Sequence, residues 1–291
     1  MKLLLLDAGH CLGRALIDEA SERSDVELIA EEKPCCDADR LRELAPDAVV
    51  FPPLCTPVAL DHSVVVEYVA RLDRTLEACR ACGVALCWLV SDQVFESGAD
   101  APIEESVLPA PRHEGLELLM AAGVRVRERL SCSFIIRTGP LIALEGREGL
   151  LGDMLAGFYA GHTLRAADDE IVCPTSACAV ARATVGMLAQ QLAGASGWGV
   201  YHLAGVEPVS LYTFHSVVLH QLELHLTRRE IRVALGSVQP LRHHHDHPLR
   251  RVLNCRRVLE TFGVHQKPWR LALDAMLERW CEARAEQERA S

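Results

Sequence analysis

The sequence predicts an α/β protein: a doubly wound parallel sheet over residues 1–145, followed by a smaller, mostly helical lobe of the substrate-binding type over residues 146–291. Three observations predict it. Short runs are apolar throughout, with no polar alternation, as in strands buried on both faces. Those runs alternate with segments whose apolar residues recur every three to four positions, the β-α-β-α order of a parallel sheet. The chain has 291 residues, 49% of them hydrophobic. That is enough for one large core, with no disulfide or metal needed to hold it.

In chain order, Leu3 to Leu6 is the first strand, and a turn containing Gly9 and Gly13 follows it. Leu12, Leu16, Ile17 and Ala20 then fall on one helix face. Val26 to Ala30 and Ala48 to Phe51 read as the next strands, with a short helix from Ala38 to Leu44 between them. Pro52, Pro53 and Pro57 mark a loop. A long helix is expected over Val58 to Cys82, with Val65, Val69, Leu72 and Leu76 inward. Val84 to Val90 is an apolar fourth strand, Gly98 to Pro111 a loop, His113 to Glu128 a helix and Ser133 to Arg137 a fifth strand. Beyond Gly139, helices are expected over Leu150–Ala160, Ala177–Ala193, Leu211–Leu226 and Trp269–Ala285. Short strands are expected at Ile171-Val172, Val200–Leu203 and Ile231–Val233. The first half is Rossmann-like, and in such sheets ligands bind at the carboxyl ends of the strands. Those ends are Asp7, Glu31, Phe51, Ser91 and Thr138.

Composition excludes several function classes. With 30 basic against 40 acidic residues the net charge is -10, which repels a phosphate backbone, and no aromatic-basic interleaving suggests single-strand binding. Clusters such as Arg250, Arg251, Arg256 and Arg257 still permit a small anionic ligand. The opening apolar run stops at Asp7, too short for a signal peptide, and no stretch approaches a membrane span. Cys87, Cys132 and Cys173 sit in or beside apolar runs, as buried thiols do in a reducing compartment. A cytoplasmic location is therefore expected. Cys79 and Cys82 have zinc-knuckle spacing, but no second pair follows.

The ordered motifs resemble those of the extended short-chain dehydrogenases, specifically the dTDP-4-dehydrorhamnose reductase-like sugar-nucleotide group. The segments that carry the resemblance are Ser91-Asp92-Gln93-Val94-Phe95, Pro102-Ile103-Glu104-Glu105, Ile135-Ile136-Arg137-Thr138, Pro174-Thr175, Gly199-Val200-Tyr201-His202-Leu203 and Arg251-Val252-Leu253-Asn254-Cys255. The resemblance implies a nicotinamide cofactor at the first turn. It also implies a sugar-nucleotide cleft lined by Asp92, Thr138, Pro174, Thr175, Arg251 and Asn254.

Two departures set this chain apart. The family's reductases use a Tyr-x-x-x-Lys pair after the fourth strand, whose Tyr moves the substrate proton. Here Tyr falls on Glu114 and Lys on Leu118; no Tyr lies between Tyr68 and Tyr159, and no Lys between Lys33 and Lys267. Ser91 remains, with Glu114 as a vestigial acid. The family's glycine turn is degenerate as well. Its three glycine positions hold Asp7, His10 and Gly13, with Gly9 between them. A His side chain fills space the pyrophosphate needs, and an unpaired Asp7 repels it. Glu31 or Glu32 could still hold a ribose hydroxyl, favouring NAD over NADP. Loss of both motifs predicts a non-catalytic member that binds no cofactor, a ligand-binding or regulatory protein. Its partner would be another protein, a second copy of itself or a nucleotide-sugar-like ligand. A regulatory subunit of methionine adenosyltransferase is a precedent within the group. The alternative is an NAD- or NADP-dependent reductase or epimerase with non-standard residues.

Two other candidates read more simply. His243, His245 and His247 could ligate a metal, but Pro240 and Pro248 bracket them and an exposed polar loop is expected. Cys11 could have a lowered pKa at a helix start, but is read as a small residue packed under the turn.

Overall fold

The computed structural model describes residues 1–54, 62–95, 102–109, 113–242 and 248–290. Its centre is a six-stranded, fully parallel sheet. Five strands come from the first half: β1 (Lys2–Leu5), β2 (Glu27–Ala30), β3 (Ala48–Phe51), β4 (Ala85–Ser91) and β5 (Ser133–Thr138). The helices between them are α1 (Cys11–Ser21), α2 (Ala38–Leu44), α3 (His62–Cys82) and α4 (Glu114–Arg129). Strands β3 and β4 are buried along their whole length, which is why they read as unbroken apolar runs. Helix α2 is held by an Asp37 side chain accepting the Arg40 N–H at 2.9 Å, the usual N-terminal cap.

The second half adds two-residue β6 (Leu141–Ile142), α5 (Leu150–Tyr159), β7 (Thr163–Ala167), β8 (Glu170–Val172), β9 (Thr175–Ser176), α6 (Ala177–Leu192) and β10 (Gly199–Leu203). After these come β11 (Val209–Ser210), α7 (Leu211–Arg228), β12 (Ser237–Leu241), β13 (Leu249–Arg251), α8 (Arg256–Phe262) and α9 (Trp269–Ala290). The main sheet runs β10-β5-β4-β3-β1-β2, so one strand from the second half forms its edge. The strand order reverses between β1 and β3. That switch point opens a crevice at the carboxyl ends.

Two apolar clusters follow. The larger surrounds the sheet and includes α6 and α8 residues such as Val180, Leu188, Val258 and Phe262. The smaller joins α5, α7 and α9 through Leu155, Phe158, Phe214, Trp269 and Leu277. The chain thus leaves the sheet after β5 and returns to it twice. The expected strand at Ile231–Val233 is irregular chain instead; the strand is β12, which pairs with β7 from Ser237 to Leu241. Ile231 and Val233 are apolar because they pack on the smaller cluster, not because they extend into a ladder.

Candidate functional site

The degenerate turn between β1 and α1 is closed by the protein's own atoms. His10 is the N-cap of α1, and its Nδ1 accepts the Leu12 N–H at 3.0 Å. The Cys11 N–H donates to the Arg147 carbonyl at 2.8 Å, and the Arg147 N–H donates to the Gly9 carbonyl at 2.9 Å. The loop from Glu145 to Gly149 therefore lies against the helix start as an isolated bridge to His10. Gly146 makes this approach possible: a Cβ there would stand 2.5 Å from the Cys11 Cα, and its φ is +85°. A helix start attracts anions through its unbonded N–H groups. Here the Cys11 and Leu12 groups already have protein partners.

The charges agree with this closure. Asp7 sits in left-handed backbone, φ 53°, where glycine is the easy residue. Its carboxylate pairs with the Arg147 guanidinium. The repulsion expected of Asp7 is thus compensated within the protein. His10 is buried, 1% exposed, with its Nε2 3.7 Å from the Glu148 carboxylate. Burial, reinforced by Glu148, pushes the Cys11 thiol up to about 12. Burial thus favours the neutral thiol, and the residue packs beneath the turn at 1% exposure. Gly13 keeps a structural role, and Gly9 is less constrained. A Cβ on Gly13 would come within 2.5 Å of the Ala8 carbonyl, and one on Gly9 within 3.1 Å of Glu32 Oε2.

One oxygen of the Glu31 carboxylate is engaged by a neighbouring arginine. Arg40 binds this Oε1 through Nε at 2.7 Å and Nη2 at 2.6 Å. A crevice of about 150 Å³ does persist at the ends of β1 and β3, lined by Asp7, Pro34, Phe51, Pro52, Arg71 and Arg147.

At the neighbouring strand ends, Ser91 and Thr138 are register partners on β4 and β5, so both side chains leave the same face. The Ser91 hydroxyl caps the single 3₁₀ turn Asp92–Val94 and accepts the Gln93 N–H at 3.3 Å. Thr138 is fully buried, and its hydroxyl has no hydrogen-bond partner among the described residues. Asp92 is fully buried 3.6 Å from Arg251 Nε, and Arg251 Nη2 lies 3.3 Å from Glu170. Burial, partly offset by Arg251, raises the Asp92 carboxyl to about 6. This chain of charges ties the end of β4 to β8 and β13 of the second lobe. Thr175 is a brace there: its hydroxyl donates to the Cys173 carbonyl at 2.8 Å and accepts the Gly205 N–H at 3.0 Å. Gly205 also packs on the Pro174 carbonyl, 2.2 Å from where its Cβ would be.

Two motifs recognised separately in the sequence bind each other. Ile103 N–H donates to the Val252 carbonyl at 2.7 Å, and Asn254 N–H to the Ile103 carbonyl at 2.8 Å. The Asn254 side chain donates to Glu104 at 2.6 Å. His202 Nδ1 lies 3.0 Å from the Ile103 carbonyl and Nε2 3.2 Å from Arg137 Nη1, so the proton sits on Nδ1 and Nε2 accepts from Arg137. Burial and the Arg137 charge pull the His202 pKa down to about 3, keeping the imidazole neutral. Asn254 therefore belongs to a structural clamp.

The structure does not bring Glu114 to Ser91. Glu114 opens α4 with 84% of its side chain exposed, 3.7 Å from His62. The void that Ser91 shares with Tyr68, Trp88, Leu116 and Leu119 is only about 10 Å³, room for one water. Tyr68 is committed elsewhere: its hydroxyl donates to the Pro52 carbonyl and accepts the Trp88 N–H, each at 2.8 Å. His243, His245 and His247 lie outside the described residues. Among the described residues no group of three or more His, Cys, Asp or Glu side chains is placed to hold a metal, Cys79 and Cys82 included. None of their helices is long and apolar enough to cross a membrane. Sequence reasoning missed Arg147 and Glu148. The available signal was their place between Gly146 and Gly149, where closely spaced glycines permit close backbone approach.

Three solved structures place this geometry among known folds. A dTDP-4-dehydrorhamnose reductase from Clostridium acetobutylicum superposes with a TM-score of 0.79 at 18% identity, over 96% of this chain and 99% of that one. The Bacillus anthracis dTDP-4-dehydrorhamnose reductase in complex with NADP gives 0.73 at 18% identity, over 96% and 97%. The Thermus thermophilus UDP-glucose 4-epimerase complex with NAD gives 0.71 at 17% identity, over 96% and 98%. At such identities the likeness is one of fold. No curated protein sequence matches the chain. The family described as RmlD substrate binding domain matches residues 56–281, most of the chain from the third strand's exit to the last helix. By that match this protein belongs to the RmlD substrate binding domain family, and its fold is that of the dTDP-4-dehydrorhamnose reductases.

Proposed function

We propose that this protein is a non-catalytic member of its family: a ligand-binding or regulatory protein that keeps the sugar-nucleotide fold and has left hydride transfer. One observation carries the reading. Two N–H groups of the first turn of α1, those of Leu12 and Cys11, are bonded to His10 Nδ1 and the Arg147 carbonyl. A dinucleotide does not fit the turn in this arrangement. His10 occupies the path of the pyrophosphate, Glu148 adds a carboxylate beside it, and Glu31 is held by Arg40. The proton donor is missing too, since Glu114 points to solvent and no tyrosine or lysine replaces the usual pair. General acid catalysis is worth about 10² to 10⁴ in rate, and its loss compounds the loss of cofactor binding.

The runner-up is an NAD(P)-dependent reductase or epimerase acting on a nucleotide sugar. It is favoured by the relatives that carry NADP or NAD and by the crevice persisting at the ends of β1 and β3. It requires the Glu145–Gly149 loop to swing away from α1. The test is NADPH oxidation with a dTDP-linked 4-keto-6-deoxy sugar, paired with calorimetry of the same sugar nucleotide without cofactor. The proposal expects turnover at background. Heat of binding in the cofactor-free titration would identify the ligand-binding form, and its absence the partner-protein form. Clear turnover overturns the proposal.

A further inference from the structure

Behind the Ser91 void, on the side of the sheet covered by α3 and α4, lies a second cleft of about 120 Å³. Its walls are Trp88, Met120, Ile135 and Val200, from β4, α4, β5 and β10. No residue of the phosphate turn lines it. Gly123 keeps it open: a Cβ there would meet only Trp88 Cζ3, at 3.7 Å, and any longer side chain would grow toward the void. Leu108 and Val124, 69% and 49% exposed, stand at its edge, so it is reachable from solvent.

Two guanidiniums line the same cleft, Arg127 from α4 and Arg137 from β5. Among the described residues neither has a carboxylate in ion-pair contact. Arg137 lies 5.1 Å over the Phe95 ring and uses Nη1 for the Glu105 carbonyl and His202 Nε2. The Glu105 carboxylate accepts the His202 N–H at 3.1 Å. Burial lowers the Arg137 pKa to about 10; Glu105 opposes that shift and the like charge of Arg127 adds to it. Buried charges are ordinarily paired, and a guanidinium offers a fork suited to a carboxylate.

We propose that this cleft binds a small organic monocarboxylate, its apolar body against Trp88 and its carboxylate between Arg127 and Arg137. The volume sets the size, since a cavity of about 150 Å³ holds one benzene ring. A single ring or a short alkyl chain fits, with the head group at the rim.

Benzoate, benzyl alcohol and inorganic phosphate, titrated separately by calorimetry, test this, with the Trp88 indole N–H resonance as a local reporter. Benzoate is expected to bind saturably and move that resonance, while benzyl alcohol and phosphate bind at least tenfold more weakly. Exposed Arg127→Gln is expected to weaken benzoate three- to tenfold, and Gly123→Leu to abolish binding. Equal affinity for benzyl alcohol, stronger binding of phosphate, benzoate binding unchanged by both substitutions, or no binding of benzoate would each overturn the assignment. Arg127→Gln keeps the test valid if Gly123→Leu fails to fold.

Discussion

Asp92→Asn should flatten one component of the protein's pH-dependent stability. Asp92 is fully buried, faces Arg251 at 3.6 Å, and has its carboxyl raised to about 6. In the unfolded chain an aspartate titrates near 3.9. Between these values the folded state holds a proton that the unfolded state has lost. The contribution of the neutral acid is therefore fully present below about pH 4 and is lost as pH rises through about 6. A shift of roughly two units corresponds to about 3 kcal/mol at 1.36 kcal/mol per unit. Asparagine has the same shape and no proton to lose. The assay is urea unfolding of wild type and variant at several pH values from 4.5 to 8, which cancels every other carboxylate. Over this pH range, which begins above the unfolded pKa, the variant should gain about 2 kcal/mol relative to wild type from the acid end to the neutral end. Parallel profiles would show the opposite, that Arg251 keeps Asp92 ionised throughout.

Three further outcomes follow from the packing. Tyr68→Phe leaves the Trp88 N–H and the Pro52 carbonyl without their shared hydroxyl, and should lower unfolding stability by about 1–3 kcal/mol in denaturant titration. Gly123→Ala adds a methyl 3.7 Å from Trp88 in the interior of α4, and should stabilise by about 0.5–1 kcal/mol in the same assay. Gly13→Ala drives a Cβ to 2.5 Å from the Ala8 carbonyl, and should cost about 1–3 kcal/mol, read as a lower thermal midpoint.

Much of the sheet was legible because burial on both faces leaves no room for polar residues. Ala48–Phe51 and Ala38–Leu44 have the bounds the sequence predicts, and β4 is displaced by one residue. Strand β12 was not legible. It is a polar edge strand containing Pro240, and its single partner, β7, shows no apolar run either. At the site, the damaged glycine positions were readable as side-chain changes, but their consequence was not. Asp7 and Arg147 are 140 positions apart, and only the return of the chain after β6 brings them together. Glu114 shows the opposite limit. Alignment put it where a proton donor belongs, whereas its place in the first turn of α4 turns it to solvent. Helix N-termini favour acidic residues for reasons unrelated to catalysis.

The turn between β1 and α1 is filled from within by His10 and Arg147, and calorimetric titration of NADH and NADPH measures the consequence. Wild type should show no saturable binding in the micromolar range. The double substitution Asp7→Gly with His10→Gly frees the Leu12 N–H, removes the carboxylate and suits the positive φ at position 7, so it should bring measurable affinity. Low-micromolar binding of either cofactor to the wild type would mean instead that the turn is open to a dinucleotide.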